Sequence, residues 1–186
     1  KAIDDGVIIP LNDVFDKYCP NIKAYLKDHP DVDKMIRTDN GDYYCFPFIR
    51  GGDLLLTSMG PMLRGDWLDE LGLEVPKTVD EWETVLTAFK EKKGATGAFA
   101  YWYSVPDLTN NNPFACAYGA RRTFYLKDGK IAYGAIEDSY KNYLQKMSEW
   151  MKAGLLDPDL ATLTNDQVAA KITSGAAGAS FAWGGS

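Results

Sequence analysis

The clearest pattern in the chain is a long amphipathic stretch in its second half. Apolar side chains recur there at helical spacing, and the pattern predicts one helix from about Ala135 to Ala153, ended by Gly154. The apolar stripe consists of Ile136, Tyr140, Tyr143, Leu144, Met147, Trp150 and Met151. Because these side chains recur on one face of the helix, we expect the aromatic ones to fill the core rather than contact a ligand.

Three further helices are marked by their end signals. The segment DWLDELGLEVPKTVDEW predicts a helix that ends at Gly72, a short loop, and a second helix that begins after Thr78. Thr78 and Glu81 form a capping-box pattern, in which each side chain accepts a hydrogen bond from the backbone N–H of the other residue. The same pattern, Thr164 with Gln167, predicts another helix in LTNDQVAAKITSG.

Aromatic and β-branched segments predict the strands. We expect strands at Tyr43–Ile49 and Leu54–Ser58, a third in GAFAYWYSV, and a fourth, made of small residues that allow close packing, in AAGASFAW. TFYLKDGKIAYG predicts a hairpin that turns at its Asp-Gly pair, and PDLTNNNPFACAYG predicts a loop before a short helix. The N-terminal segment predicts two or three short helices broken by Pro20 and Pro30. Alternating strands and helices indicate an α/β fold.

Composition adds one unusual feature, the aromatic content. The 186 residues suffice for one substantial domain, and 13% of them are aromatic, including 11 tyrosines and 5 tryptophans. Tyrosine and tryptophan offer an apolar face with a polar tip, so some of them are candidates for ligand contacts. For any single one of these residues, packing in the core is the more common role.

Charge and apolar content exclude several partners. The net charge of −6 opposes nonspecific binding to nucleic acid or to an anionic membrane, because both depend on a basic surface. We also expect no membrane-spanning segment, since no apolar run reaches about 18 residues. The chain opens with Lys1 and closes at FAWGGS, so we expect both ends to be cut from a longer protein.

Metal and thiol chemistry has little support in the sequence. The cysteines, Cys19, Cys45 and Cys116, show no CxxC spacing, and His29 lies in a helix-ending loop typical of a solvated histidine. A Cys19–Cys45 disulfide stays open as an alternative in an exported protein, and the odd count leaves at least one free thiol. Oxygen-rich segments such as RTDNGDYY lack the spacing of a calcium loop.

Catalytic signatures are equally scarce. The chain contains no GxGxxG, P-loop, HExxH or GxSxG motif. A pair of carboxylates for glycoside hydrolysis needs only proximity in space, so that alternative stays open. The acids that stand out, however, lie in first turns of helices, as do Asp80, Glu81, Glu137 and Asp138. Capping and helix-dipole roles explain them without catalysis.

The order of several segments resembles a known family. The segments are GVIIPLNDVFDKYCPN, NGDYYCFPF, LRGDWLDELGLEVPKTVDEWETVLTAFK, FYLKDGKIAYG and YLQKMSEWMKAGLLDPD. In this order they are similar to the extracellular solute-binding protein family 1, the substrate-capturing lipoproteins of bacterial ABC importers, particularly its long Gram-positive branch. The resemblance covers nearly the whole chain.

The resemblance implies a fold and a division of the chain. The expected fold is the periplasmic-binding-protein-like type II α/β fold, of which this chain would hold mainly one of two lobes. Residues 1–48 would be a remnant of the first lobe with the first crossover strand, 49–182 the second lobe, and 183–186 the second crossover, where the chain is truncated. The lipid that anchors the full-length parent outside the cell would lie beyond this chain.

The resemblance also implies a function without chemistry. We expect the parent to bind an oligosaccharide between its lobes by hinge closure and deliver it to ABC permease subunits, as a monomer, with no cofactor, metal or nucleic acid. The alternatives are a peptide or another small polar solute, a carbohydrate-active enzyme that uses a carboxylate pair, and a purely structural interaction domain.

Candidate ligand contacts follow from the chemistry of sugar sites. Such sites stack aromatic rings on pyranose C–H surfaces and surround hydroxyls with planar polar side chains. For each candidate the alternative role is packing, capping or solvent exposure. At loop or strand ends near the expected crossings, the candidates are Trp183, Arg50, Arg64, Trp102, Asn111, Asn112 and Tyr118.

Overall fold

The chain forms two compact units, Lys1–Leu56 and Thr57–Ser186, called the N-unit and the C-unit below. A computed structural model describes residues 2–50, 59–97, 99–101 and 113–183. Each unit has its own hydrophobic core.

Over the described residues 2–50, the N-unit contains three short helices: α1 (Asn12–Tyr18), α2 (Pro20–Asp28) and α3 (Pro30–Ile36). Proline begins α2 and α3, where a missing backbone N–H costs no hydrogen bond, so the predicted breaks are confirmed. Phe15, Leu26 and Tyr43 form the buried centre of the unit.

The predicted strand at Tyr43–Ile49 is wrong, because no strand forms in the described stretch 43–50. The backbone of Tyr43 is instead bonded to the start of α1. Its carbonyl accepts from Leu11 N–H at 2.7 Å and its N–H donates to Asn12 Oδ1 at 3.0 Å. The Tyr43 ring stacks on Phe15 at 4.5 Å, which closes the unit. The other strand predicted here, Leu54–Ser58, lies outside the described residues.

Helices and strands alternate in the C-unit, as predicted. In chain order they are β1 (Met59–Leu63), α4 (Gly65–Leu71), α5 (Val79–Lys93), β2 (Phe99–Tyr101), α6 (Pro113–Ala117), β3 (Phe124–Lys127), β4 (Lys130–Tyr133), α7 (Asp138–Lys152), α8 (Asn165–Ser174) and β5 (Ala179–Trp183). A 3₁₀ turn, Gly134–Ile136, precedes α7.

A mixed three-stranded sheet, in the order β1-β5-β2, organises the C-unit. The central strand β5 runs antiparallel to β1 and parallel to β2. Close packing at its start confirms the prediction for AAGASFAW, because a Cβ added to Gly178 would lie 2.6 Å from Trp67 Cζ3. β1 was not predicted, since Gly60 and Pro61 weaken the strand pattern. Proline is tolerated there because β1 is an edge strand.

The helix ends follow the sequence signals closely. Gly72 ends α4 with φ of 64°. Thr78 Oγ accepts from Glu81 N–H at 3.2 Å, and the Glu81 carboxylate accepts from Thr78 N–H at 3.1 Å. Thr164 and Gln167 make the same reciprocal pair at the start of α8. Both capping boxes are confirmed.

The amphipathic stripe of α7 is confirmed for its central residues. Tyr143 and Trp150 have no exposed surface, and Tyr140 and Met147 are buried. The prediction is wrong for Ile136, which is 81% exposed, because it belongs to the 3₁₀ turn before the helix. The core prediction is also wrong for Leu144 and Met151, which are 40% and 38% exposed.

Candidate functional site

Three strand ends meet at one edge of the sheet, called the carboxyl edge below. β2 ends there at Tyr101, the parallel strand β5 ends there at Trp183, and β1 begins there at Met59, opposite Trp183. In open α/β sheets, ligands bind outside the carboxyl ends of parallel strands. The topology therefore makes the carboxyl edge the candidate site.

Four of the predicted ligand contacts lie near strand ends in the sequence. The structure describes one of them and leaves three outside the described residues. Trp183 is the last residue of β5, at the carboxyl edge. Trp102, which follows β2 directly in the sequence, lies outside the described residues, as do Asn111 and Asn112 before α6.

Arg64 lies at the opposite end of the β1–β5 ladder. Its N–H donates to Gly178 O at 2.9 Å, five residues before Trp183. At about 3.3 Å per residue, the two backbone positions are about 16 Å apart. Arg64 is therefore not brought together with Trp183.

The Arg64 guanidinium is engaged by neighbouring scaffold. It donates to both carboxylate oxygens of Asp66, with Nε 2.8 Å from Oδ1, and to Ile172 O at 3.4 Å. It also lies over the Trp67 ring, 4.9 Å from the centroid. The hydrogen bond with Asp66 raises the pKa of Arg64 and lowers the pKa of Asp66. These contacts tie the start of α4 to the end of α8, and a ligand role for Arg64 stays a prediction.

Tyr118 is grouped with the polar face of α7. Its half-buried ring lies 6.2 Å from that of Tyr143, and burial raises the pKa of its phenol. Beside it, Lys146 Nζ lies 3.0 Å from Glu83 Oε2. The hydrogen bond from Lys146 lowers the pKa of the Glu83 carboxyl. A shallow cavity of about 250 Å³ is lined by Tyr118, Asn142, Gln145, Lys146 and Glu149.

Arg50 belongs to the N-unit. Its side chain is exposed, and its guanidinium lies 5.6 Å from the centroid of the Phe48 ring. A ligand role for Arg50 likewise stays a prediction.

A buried ion pair, which the sequence did not reveal, connects α8 to the sheet. Asp157 is fully buried, and its carboxylate oxygens lie 2.7 and 2.9 Å from Lys171 Nζ. Asp157 also accepts from Asp159 N–H at 2.9 Å, and its own N–H donates to Phe99 O at 3.0 Å. Burial lowers the pKa of Lys171, but hydrogen bonds to Asp157 and Asp159 outweigh this and raise it overall.

One predicted capping acid has a different role. Glu137 precedes α7, but its carboxylate makes no capping hydrogen bond there. It accepts from Tyr125 Oη at 2.7 Å and from Lys127 Nζ at 2.9 Å, which fastens the β3–β4 hairpin to the start of α7. The capping role predicted for Glu137 is therefore wrong.

The described part of the chain contains no group of three or more His, Cys, Asp or Glu side chains placed to hold a metal ion. Cys19, Cys45 and Cys116 are free thiols, so the Cys19–Cys45 disulfide left open by the sequence is not formed. His29 ends α2 and stacks on Tyr25 at 4.1 Å. Within the same described ranges, no helix has the length and apolar content needed to cross a membrane.

Comparison with known sequences gives one family and several relatives. The sequence model of the family described as bacterial extracellular solute-binding protein matches residues 1–186. The fructooligosaccharide ABC transporter substrate-binding protein FusA of Streptococcus pneumoniae is 32% identical over 168 residues, 83% of this chain and 31% of FusA. Lipoprotein LipO of Bacillus subtilis is 27% identical over 169 residues, 84% of this chain and 33% of LipO. The chain spans about a third of these curated relatives.

Comparison with solved structures gives FusA again, together with further solute-binding proteins. FusA in complex with kestose matches 97% of this chain and 40% of FusA, with a TM-score of 0.75 and 29% identity. The alginate-binding protein AlgQ2 matches 95% of this chain and 37% of its own, with a TM-score of 0.73 and 29% identity. An HMO-binding protein of Bifidobacterium longum infantis matches 98% of this chain and 41% of its own, with a TM-score of 0.71 and 28% identity. The predicted fold class, part of a periplasmic-binding-protein-like α/β fold, is confirmed.

Proposed function

Because the chain belongs to the bacterial extracellular solute-binding protein family, we propose that it is part of an oligosaccharide receptor that serves an ABC importer. The observation that carries this proposal is the likeness to FusA, whose solved structure holds kestose and matches 97% of this chain. In the longer polypeptide, the sugar is held between two lobes, and contacts to both lobes stabilise the closed state.

The topology of the sheet supports a place for the ligand. β1 begins and β5 ends side by side at the carboxyl edge, with Met59 opposite Trp183, so the chain enters and leaves the sheet at one place. In our proposal the chain crosses between the lobes before β1 begins and where β5 ends. Residues 1–48 then belong to the first lobe with the first crossover, 49–182 to the second lobe, and 183–186 to the second crossover.

The proposed ligand contacts centre on Trp183. An indole at the end of β5 offers a flat apolar face to pyranose or furanose C–H groups. We rank three further contacts below Trp183: Arg50, Arg64 and Tyr118. The side chains of Arg64 and Tyr118 contact other residues of the C-unit, Asp66 and Tyr143. The remaining proposed contacts are Trp102, Asn111 and Asn112.

Binding without reaction is the second part of the proposal. The family and the relatives named above are solute-binding proteins, which supports a receptor over the carbohydrate-active enzyme with a carboxylate pair. A labelled oligosaccharide incubated with a receptor is recovered unchanged, whereas an enzyme would release shorter products. Release of product would refute this part.

Partners and location follow from the same family. We propose that the receptor works as a monomer outside the cell, docks on ABC permease subunits, and is held to the membrane by an N-terminal lipid in the longer polypeptide. The name of FusA, an ABC transporter substrate-binding protein, supports the permease partner, and that of LipO, a lipoprotein, supports the lipid anchor.

A thermal-shift screen tests the ligand class. The longer polypeptide is heated with kestose, maltose, amino acids and short peptides. We expect stabilisation by oligosaccharides and its loss in Trp183→Ala. Tyr18→Ala, which removes a 67% exposed aromatic side chain from α1, is the matched control and should keep the full shift. Stabilisation by peptides alone would favour the peptide-binding alternative.

A further inference from the structure

The β3–β4 hairpin carries an apolar face that nothing in the C-unit covers within the described residues. The register places Phe124 opposite Tyr133 and Leu126 opposite Ile131, so all four side chains project from one face, called the hairpin face below. Leu126 is 72% exposed and Ile131 is 81% exposed. The two aromatic rings contact each other, with centroids 4.8 Å apart.

The hairpin is held firmly by its other face. Tyr125 and Lys127, which alternate with the apolar residues, bind the Glu137 carboxylate at 2.7 and 2.9 Å. At the base, Gly134 N–H donates to Thr123 O at 3.1 Å. The turn is a tight type I′ turn, with φ of 51° at Asp128 and 74° at Gly129. The hairpin face is therefore presented by an ordered element.

The size of the hairpin face indicates a function. Four large side chains, two of them more than 70% exposed and aliphatic, give an apolar patch on the order of 500 Å². A patch of this size is comparable to the largest apolar patch of a typical monomer, of about 300–600 Å², which is often a functional contact surface. The face lacks charged side chains, as the core of a protein does.

Two occupants fit the observations poorly. A second copy would bury only on the order of 500 Å² per partner, below the roughly 800 Å² typical of stable interfaces. An anionic membrane would need cations beside the apolar face, but Lys127 and Lys130 stand on the opposite face. Lys127 is in addition neutralised by Glu137.

We propose that the hairpin face is covered by a segment of the same polypeptide outside residues 1–186. The chain spans only 31% to 33% of its curated relatives, so about two thirds of such a protein is available to supply the cover. A tethered segment needs no large interface, because its effective concentration is high. This inference rests on the longer polypeptide of the proposed function, but it concerns stability and not sugar binding.

The test compares the same substitutions in two lengths of chain. Leu126→Thr/Ile131→Thr keeps β-propensity but places hydroxyls on the hairpin face. In the longer polypeptide we expect the double variant to lower the melting temperature by at least about 5 °C. In residues 1–186 alone, the double variant should shift the melting temperature by less than about 2 °C, since the hairpin face is exposed there. Val75→Thr, at a 63% exposed loop position, is the matched control and should change neither.

Each other outcome overturns the proposal. Equal shifts in the two lengths of chain, or no shift in either, would mean that no further segment covers the face. A dimer of residues 1–186 that the double variant dissociates, seen by gel filtration, would identify a second copy as the occupant. Sedimentation with phosphatidylglycerol vesicles that the double variant abolishes would identify a membrane. The sugar titration is read separately, so a failure here leaves the proposed function standing.

Discussion

Lys171→Met should destabilise the C-unit severely, although Lys171 is not among the proposed ligand contacts. The substitution keeps the length of the side chain and removes its charge. Among the residues that the structure describes, the carboxylate of Asp157, which has no exposed surface, would then keep only the hydrogen bond from Asp159 N–H. The loss concerns two contacts of 2.7 and 2.9 Å to the fully buried carboxylate.

The expected magnitude follows from the burial of both partners. Breaking a buried pair by removing one partner costs about 3–5 kcal/mol, because the other charge is left uncompensated. The Lys171 side chain keeps 23% of its surface exposed, so we expect a loss of about 3 kcal/mol, at the lower end. Lys141→Met, at an exposed lysine of α7, is the matched control and should cost less than about 0.5 kcal/mol.

Urea unfolding followed by tryptophan fluorescence measures this loss. All 5 tryptophans lie at or beyond residue 67, so the signal reports the C-unit alone. Asp157→Asn removes the charge of the partner, and the double variant Asp157→Asn/Lys171→Met should cost at least about 1 kcal/mol less than the sum of the two singles. A loss below about 1 kcal/mol for Lys171→Met, or strict additivity, would refute the reasoning.

The stabilisation by the Asp157–Lys171 pair should decrease at alkaline pH. Hydrogen bonds to Asp157 and Asp159 raise the pKa of Lys171 above its ordinary value of 10.5 in spite of burial. The stabilisation is therefore fully present below about pH 10.5 and is lost as the pH rises through the folded-state pKa. The difference between wild type and Lys171→Met should shrink in that alkaline window, and a constant difference would contradict the assignment.

Three further substitutions test separate parts of the fold. Gly178→Ala places a Cβ 2.6 Å from Trp67 Cζ3, and should lower the free energy of unfolding in urea by about 1–3 kcal/mol. Gly60→Ala is the control, because a Cβ there has nothing within 4 Å, and it should lower the free energy of unfolding clearly less. Equal losses for the two variants would refute the packing argument. Thr78→Ala removes one half of a capping box and should cost about 1 kcal/mol in the same assay, whereas an unchanged midpoint would show the box to be dispensable. Burial, and then the hydrogen bond to Asp33, raise the pKa of Tyr43 to about 12 from 10.0, so its stabilisation is lost as the pH rises from about 10 to about 12. The stability gap between wild type and Tyr43→Phe, followed by circular dichroism, should narrow over that range, and a constant gap would contradict it.

Local signals in the sequence predicted most of the C-unit. The glycine and capping-box signals that end α4 and begin α5 and α8 act within a few residues, so one sequence is enough to locate them. The Asp-Gly pair of the hairpin acts in the same way, since both residues take positive φ in a type I′ turn. Residues whose conformation depends on contacts distant in sequence were harder to predict.

Three of the failures involve partners distant in sequence. Tyr43 was assigned to a strand because of its aromatic neighbours, but its backbone bonds to Leu11 and Asn12, about thirty residues earlier. The ion pair of Asp157 was not predicted, since nothing in DPD indicates that Lys171 of α8 will contact it. At the candidate site, the sequence proposed Arg64 and Trp183 together. Only the strand register places them at opposite ends of β1 and β5.

Binding of an oligosaccharide can be measured directly by isothermal titration of kestose into the longer polypeptide and into residues 1–186. We predict saturable binding to the longer polypeptide and severely weakened binding to residues 1–186, because half of a cleft cannot desolvate a sugar on both faces. Equal affinity in the two chains would place the whole site within these residues and contradict the two-lobe account. Saturable heat with short peptides, and none with any oligosaccharide, would contradict the proposed ligand class.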